Sequence, residues 1–350
     1  MNVPVNIDEF IKLSEKFPVI DVRSPGEFAH GHIPEAHSIP LFSDAERAKV
    51  GTAYKQIGRE KAIEIGYSII NPKRQSFLVQ VEKIFSAVQP QTCLVHCWRG
   101  GMRSAGFAAF LNENGYETHT LVRGYKAYRN FVLKSFENYS NLIIIGGETG
   151  SGKTEILKKI GEAGEQIIDL ENLAHHKGSA FGSLGEKPQP TQEHFENKLS
   201  FQLNKLDLSK RIFLEDESRA IGTCQVPNPF WERMKIAPII RVNIPKRERI
   251  ERLMNDYGKF SKDELAKCIM KIEKRLGPQH AKHALEELGK GNFKTAADIT
   301  LSYYDKAYDY NHEKRNFKDV FFVECETADV NKNSKEVLDV ANKKLKKVYA

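Results

Sequence analysis

Two stretches of this sequence carry residues that could perform covalent or phosphate chemistry. The first is LVHCWRGGMRS, residues 94–104. Cys97 would end an apolar strand, and Trp98, Arg99, Gly100, Gly101, Met102, Arg103 and Ser104 lead from it into a helical pattern. A cysteine reacts as the thiolate, and a free thiol ionises only near about pH 8.5. Loop amides, a helix N-terminus and two arginines around Cys97 would stabilise that anion. Two chemistries fit. The spacing from His96-Cys97 across five residues to Arg103-Ser104 suits a thiolate that takes up a phosphoryl group. A cysteine at a strand end before a glycine-rich turn equally suits a carrier of sulfur. Cys93 lies within the apolar strand, has no such loop, and reads as structural.

The second stretch is GGETGSGKT, residues 146–154. It contains G-x-x-x-x-G-K-[ST], with an apolar strand before it and a helical pattern after it. Gly147, Gly150, Ser151 and Gly152 would turn the backbone so that its N–H groups face phosphate oxygens, and the helix start adds partial positive charge. Lys153 would reach the terminal phosphates, and Thr154 would help to hold Mg²⁺. The second metal ligand should come from a strand ending in acid. IFLEDES (212–218) offers Glu215, Asp216 and Glu217, of which Asp216 is favoured and Glu215 comes next, so the expected Mg²⁺ site is Thr154 with Asp216. A nucleotide and a diphosphate ester present the same handles to this loop.

The elements that position these residues form an α/β chain of two domains. Residues 1–138 read as one unit, with strands at 17–23, 92–97 and 118–125, a helix at 101–116 and a polar helical excursion around 44–70. Residues 139–350 read as a second unit: a parallel sheet built from 142–147, 165–171, 210–218 and 237–244, then a mainly helical part with 319–325 as a closing strand. Strands alternating with helices imply parallel sheets covered on both faces.

The net charge is +7 over 350 residues. Residues 231–290 carry about 15 Lys/Arg against about 9 Asp/Glu, which suits either a solvated helical surface or a polyanion such as RNA. The five cysteines, widely spaced and without a signal sequence before them, argue against a disulfide framework. Cys93 and Cys97 lack a matching Cys/His pair, so no zinc site is expected. No apolar run approaches the ~20 residues of a membrane span. A cytoplasmic protein with no membrane partner is expected.

VIDVRSPGEFAHGHIPEAHSIP (19–40) resembles the rhodanese superfamily, whose D-x-R-x-x-x-E-[FY]-x-x-G-H-I-x-x-A pattern is met by Asp21, Arg23, Glu27, Phe28, Gly31, His32, Ile33 and Ala36. The resemblance makes the first unit a rhodanese-like domain with Cys97 as its active thiol. Asp21, Arg23, Glu27 and His32 then pin the turn near the active loop. One departure stands out. Common single-domain rhodaneses place the last loop arginine one position nearer the cysteine, so the loop here has room for a group larger than a sulfur atom.

Nearly the whole chain is similar to the bacterial tRNA 2-selenouridine synthases, also called tRNA 2-thiouridine selenotransferases. The match rests on DVRSPGEFAHGHIP, GTAYKQIGREKAIEIG, HCWRGGMRS, GYKAYR, GGETGSGKTEIL, DLENLAHHKGSAFG and EDESRAIG. It implies a tRNA substrate with 2-thiouridine at the wobble position. That sulfur would first be geranylated with geranyl diphosphate, and the S-geranyl group then replaced by selenium from selenophosphate. Cys97 would act as a selenosulfide carrier or as a thiolate that helps expel the geranyl thiol. Loop residues 98–104 would hold selenophosphate, with Arg103 as its clamp, and Trp98 would stack on the uridine. The phosphate loop would stabilise the departing diphosphate, and 231–290 would contact tRNA. No tightly bound cofactor is implied, and a selenophosphate supplier is the implied protein partner. Two alternatives remain at the level of residues: a rhodanese-fold phosphatase joined to a nucleotide-binding domain, and a non-catalytic tRNA-binding module.

Overall fold

The computed structural model describes residues 2–85, 91–137, 139–313 and 319–345. The chain divides into two compact units: Met1–Ser135 with Glu196–Phe201, and Phe136–Phe195 with Gln202–Ala350. The short piece 196–201, inside a helix of the second half, groups with the first unit, which a division at 138/139 does not anticipate.

The first unit runs β1 (Asn2–Val5), α1 (Ile7–Ser14), β2 (Val19–Asp21), α2 (Pro25–His30), β3 (His37–Ser38), α3 (Asp44–Gln56), α4 (Arg59–Ile70), α5 (Arg74–Phe85), β4 (Thr92–His96), α6 (Met102–Glu113), β5 (Glu117–Leu121) and α7 (Gly124–Lys134). Its five strands form a parallel sheet in the order β1-β5-β4-β2-β3. Every residue of the central strand β4 is buried, as a sheet covered on both faces requires. The excursion at 44–70 is two helices, α3 and α4. Ser43 and Glu46 cap the first of them reciprocally. The strand expected over 118–125 stops at Leu121. Arg123 takes the left-handed conformation (φ 63°) and Gly124 opens α7, because the chain must turn there beneath the Cys97 loop.

The second unit runs β6 (Leu142–Gly146), α8 (Lys153–Glu162), β7 (Gln166–Ile168), α9 (Leu170–Ala174), α10 (Gln192–Leu203), β8 (Ile212–Glu215), β9 (Ala220–Ile221), β10 (Cys224–Gln225), α11 (Asn228–Ile236), β11 (Ile239–Asn243), α12 (Lys246–Tyr257), α13 (Lys262–Leu276), α14 (Pro278–Lys290), α15 (Phe293–Glu313), β12 (Val320–Glu324) and α16 (Val330–Lys344). Its main sheet is parallel, ordered β12-β11-β6-β8-β7. From the central strand β6 the chain moves outward to the edge strand β7, then returns to β8 and crosses β6 to β11 and β12. The connections after β6 and β8 therefore leave in opposite directions beside the phosphate loop, the kind of place where α/β folds bind ligands. The antiparallel pair β9–β10 has no signature in the sequence, since two residues per strand leave no alternation to read. The helices α13–α15 enclose an apolar cluster of their own around Leu265, Ile269, Ala284 and Leu288. Among the described residues, no helix is long and apolar enough to cross a membrane.

A buried ionic group sits under the first sheet's active edge. Asp21 and Arg23 are both fully buried, and Arg23 Nε and Nη2 donate to the Asp21 carboxylate at 2.9 and 2.6 Å. Nη2 also donates to the Gly31 carbonyl (2.7 Å), and the guanidinium lies 3.7 Å from the centre of the Tyr125 ring. Burial opposes ionisation of Asp21, but His96 and Arg23 outweigh it and hold the carboxyl below its ordinary range. Of these two, Arg23 acts at neutral pH, because burial drives His96 down to about 4 and leaves it uncharged. His96 Nε2 lies 3.6 Å from Asp21.

A histidine held neutral in the fold, with an ordinary unfolded pKa of about 6.5, gives a stability contribution that is complete above that value. The contribution falls as the pH drops from about 6.5 to about 4, by up to about 3 kcal/mol. Hydrogen exchange of the β4 amides should therefore show a first unit weaker at pH 4.5 than at pH 7. His96→Gln should flatten that slope, and an unchanged slope would assign the titration to another group.

Candidate active site

β4 delivers Cys97 to the C-terminal edge of the first sheet, where it is 3% exposed. The following loop reaches α6 at Met102, so the helix N-terminus faces the same edge. Backbone closure of the loop depends on Gly124 (φ +56°): a Cβ there would lie 2.2 Å from the Cys97 carbonyl oxygen. A Cβ at Gly100 (φ +65°) would likewise lie 2.6 Å from the Leu121 carbonyl oxygen and 2.7 Å from the Arg123 amide nitrogen. Through this contact the first amides of α7 bind the loop, Tyr125 N donating to Cys97 O (2.8 Å) and Lys126 N to Trp98 O (3.1 Å). Cys97 Sγ lies 3.2 Å from Ser104 Oγ, which in turn donates to the Gly101 carbonyl at 3.1 Å. With that hydroxyl proton committed, the thiol donates to Ser104. Once the thiol ionises, the hydroxyl can swing to the sulfur. Cys93 is buried within β4, and burial pushes its thiol up to about 12, consistent with an inert core position.

The remaining loop residues divide by exposure. Trp98 is half-exposed and packs 5.7 Å, centre to centre, from Tyr125. Arg99, Gly100, Gly101 and Met102 face solvent. Arg103 donates to Glu27 Oε2 at 3.0 Å, and Arg47 approaches the same oxygen at 3.8 Å. Glu27 also accepts from the Ser24 amide, so one carboxylate both caps α2 and holds the loop arginine. Burial would raise Glu27, but Arg103, the Ser24 amide and Arg47 together keep it below the ordinary carboxylate range. Tyr125 and Asn197 do not stand out in the sequence. Asn197, fully buried in the first unit, donates to Tyr125 Oη (2.7 Å) and to the His32 carbonyl (2.9 Å). Tyr125 belongs to GYKAYR, but a partner 72 residues away leaves no local signal.

In the second unit the phosphate loop leaves β6 at Gly146 and enters α8 at Lys153. Gly147, Gly150 and Gly152 all have positive φ. Lys153 Nζ rests on the Gly147 carbonyl at 2.8 Å, inside the loop. Gly147 N donates to Tyr308 Oη (2.8 Å). Ser151 is buried within the turn. Arg249 of α12, nearly fully buried, braces the loop from outside: it pairs twice with Asp305 (2.8 and 3.0 Å), reaches Glu148 and donates to the Thr149 carbonyl.

Carboxylates crowd beneath this loop. Thr154 Oγ1 donates to Glu171 Oε2 at 2.9 Å. Its single proton is thereby used, and both oxygens of the adjacent Glu215 are buried without a hydrogen-bond partner. Burial first, and the neighbouring carboxylates second, drive Glu215 and Glu217 well above the ordinary range. Burial also raises Glu171, against the pull of Lys153 and Thr154. A protonated Glu217 donates to Glu171. Asp216, favoured from the sequence as the partner of Thr154, follows the end of β8 and accepts from Tyr308. Glu215, the last residue of the strand, feels the Thr154 hydroxyl, and Asp216 lines the same cleft as Thr154. Glu171, within DLENLAHH, is a further acid of the site that the sequence does not single out; an acid in the first turn of a short helix has no distinguishing pattern.

A cleft of ≈ 970 Å³ opens over the loop. Lys153, Thr154, Glu171, Asp216 and Glu217 line it, with Lys177, Arg252, Lys271, Lys274 and Arg275 around them. Four of these cations belong to the basic region 231–290. Others there are committed elsewhere: Arg249 to the loop, Arg241 to Asp309 and Lys290 to Glu287. Beside the cleft lies a smaller apolar cavity of ≈ 80 Å³, and Thr149, Ser179, Leu253, Tyr257 and Tyr304 line both. Among the described residues, no group of three or more His, Cys, Asp or Glu side chains is placed to hold a metal ion. Mg²⁺ in phosphate sites commonly uses one or two carboxylates plus ligand phosphates, a pattern that Thr154 with the adjacent acids fits.

Two family models match the chain. A rhodanese-like domain model matches residues 6–131, and a model described as the tRNA 2-selenouridine synthase AAA domain matches residues 140–341. The chain is 36% identical over 339 residues to the tRNA 2-selenouridine synthase of Sulfurovum sp., covering 87% of this chain and 91% of that one. It is 40% identical over 250 residues to the enzyme of that name from Bdellovibrio bacteriovorus, covering 69% of this chain and 65% of that one. With the one from Nitrosomonas europaea it shares 37% identity over 263 residues, 73% of this chain and 68% of that one. The chain belongs to the tRNA 2-selenouridine synthase family, a family of tRNA-modifying enzymes.

Proposed function

We propose that this chain converts wobble 2-thiouridine of tRNA to 2-selenouridine in two steps, geranylation at the phosphate loop and selenium transfer at Cys97. The observation that carries the first step is the apolar cavity sharing five wall residues with the phosphate cleft. A diphosphate on the loop amides and Lys153 would place its hydrocarbon chain against Leu253, Tyr257 and Tyr304. The thiocarbonyl sulfur attacks C1 of the geranyl group, the C–O bond breaks and diphosphate leaves. Lys153 and the loop amides stabilise that leaving charge. Mg²⁺ held by Thr154 with Glu215, Glu171 or Asp216 would supply further neutralisation of the diphosphate.

The second step needs a good leaving group at C2, which S-geranylation creates. Cys97 thiolate attacks C2 and expels geranylthiolate, which takes a proton from water. The selenium of selenophosphate then attacks C2, returns Cys97 as thiolate, and loses its phosphoryl group to water. Selenium stays at the oxidation level of selenide throughout. A selenosulfide on Cys97 would require an added oxidant, so the nucleophilic role is favoured. Ser104 is placed to hydrogen-bond the sulfur once it is an anion. Arg103, held by Glu27, stands at the end of the loop where the donor's phosphoryl oxygens would lie. Selenophosphate would reach the protein from a separate supplier. The basic rim of the cleft is the tRNA contact in this reading, with Trp98 stacking on the uridine.

Lys153→Ala should lower geranylation by at least about 100-fold and spare selenation of tRNA supplied already geranylated. Loss of selenation alone would remove the phosphate loop from the first step. Cys97→Ser should accumulate geranylated tRNA with no 2-selenouridine by nucleoside mass spectrometry, and a normal selenouridine yield would end the proposal for Cys97. Lys274→Ala combined with Arg275→Ala should weaken tRNA binding and flatten its salt dependence by about one unit of log–log slope for each RNA phosphate no longer neutralised. An unchanged slope would place the RNA elsewhere.

A further inference from the structure

The first unit has an apolar groove that neither step described above uses. It encloses ≈ 340 Å³, within the range of about 300–1,000 Å³ typical of small-molecule pockets. Helices α3 and α4, the excursion added to this domain, form one wall with Tyr54, Ile63 and Tyr67, and α6 forms the other with Met102 and Phe110. Tyr54, Tyr67 and Met102 are each more than half exposed there (58%, 56% and 51%), so the groove presents apolar surface to water.

The floor is open by composition. Gly106 and Ala109 lie on the outward face of α6, and a Cβ built at Gly106 would meet no atom within 4 Å. Neither packing nor positive φ demands a glycine at this helical position, where it costs helix stability relative to alanine. What the small residues preserve is space. The groove is also continuous with the active loop: Met102 and Arg103, which end the Cys97 loop, are walls of it. From there it follows α6 to Glu113, where Arg74 donates to Glu113 at 2.9 Å and lies over the Phe110 ring, closing the far end with a satisfied polar pair. Such a lining, apolar between Arg103 paired with Glu27 at one end and Arg74 paired with Glu113 at the other, suits a hydrocarbon.

The geometry points to this groove as the site that receives the hydrocarbon chain of an S-alkylated 2-thiouridine while its C2 lies at Cys97. This rests on the two-step reading above and extends it. The chain added in the first step becomes the feature by which the second site selects its substrate. Unalkylated 2-thiouridine, with nothing to fill the groove, binds the Cys97 site weakly and is not attacked prematurely.

The test is binding of the full chain to a synthetic anticodon stem-loop RNA carrying either 2-thiouridine or its S-geranyl derivative. Wild type should prefer the geranylated RNA by at least about tenfold, the equivalent of burying a few methylenes. Gly106→Phe and, separately, Ala109→Phe should erase the preference while leaving affinity for the 2-thiouridine RNA and geranylation from geranyl diphosphate unchanged. Ala109→Phe carries the test if Gly106→Phe does not fold. A preference that survives in the folded variants, or is absent in wild type, overturns the groove assignment. So does a change in self-association of either variant by sedimentation, which would make the groove a contact between copies. Because the RNA is alkylated synthetically, these outcomes are independent of whether the enzyme makes that product. Only failure of wild type to geranylate thiolated tRNA would count against the underlying reading.

Discussion

A parallel strand that turns straight into a helix leaves the first amides of that helix without partners inside it, and both candidate sites depend on this constraint. β4 enters α6 through the Cys97 loop, and β6 enters α8 through the loop from Gly147 to Gly152. Each turn aims N–H groups and the positive end of a helix at one point above the sheet. The constraint fixes where an anion would bind in each unit. The residue placed at that point decides what happens to it: a thiol in the first unit, a lysine and a threonine in the second.

The two sites then diverge in their electrostatics. Below the Cys97 loop the charges cancel, with Asp21 and Arg23 locked together and His96 neutral. Such a pair contributes little net stability, yet removing one partner would strand a buried charge. Its service is positional, since Arg23 stacks on Tyr125, whose backbone amide holds the Cys97 carbonyl. Below the phosphate loop the charges do not cancel. Glu171, Glu215 and Glu217 share one lysine and one threonine, and burial keeps part of that set protonated. An arrangement of that kind is completed by cations or proton transfer on ligand binding, which suits a site that releases diphosphate.

Much of this is legible in the sequence because it is local. LIIIG and TCLVH read as buried strands, and the two loop motifs sit directly after them. What escapes is non-local or too short. The strand read over 118–125 ends early because Gly124 must touch the Cys97 carbonyl, a contact across 27 residues of chain. Asn197 reaches Tyr125 from a helix that sequence order assigns to the other unit. Among EDE at 215–217, alternation past a strand end cannot rank the three acids, and Glu171, which accepts from Thr154 at 2.9 Å, lies outside that run altogether. The basic stretch 231–290 is visible as a charge excess, but its division between bracing ions and a cleft rim depends on partners such as Asp305 and Asp309.

The central claim is that one chain carries out two ordered chemical steps on the same base. A time course with purified protein, 2-thiouridine tRNA, geranyl diphosphate and selenophosphate, read by nucleoside mass spectrometry, tests it most directly. The account predicts that S-geranyl-2-thiouridine rises first and then declines as 2-selenouridine replaces it. Formation of 2-selenouridine at full rate without geranyl diphosphate would contradict it, as would tRNA left unchanged while the protein releases phosphate from an aryl phosphate.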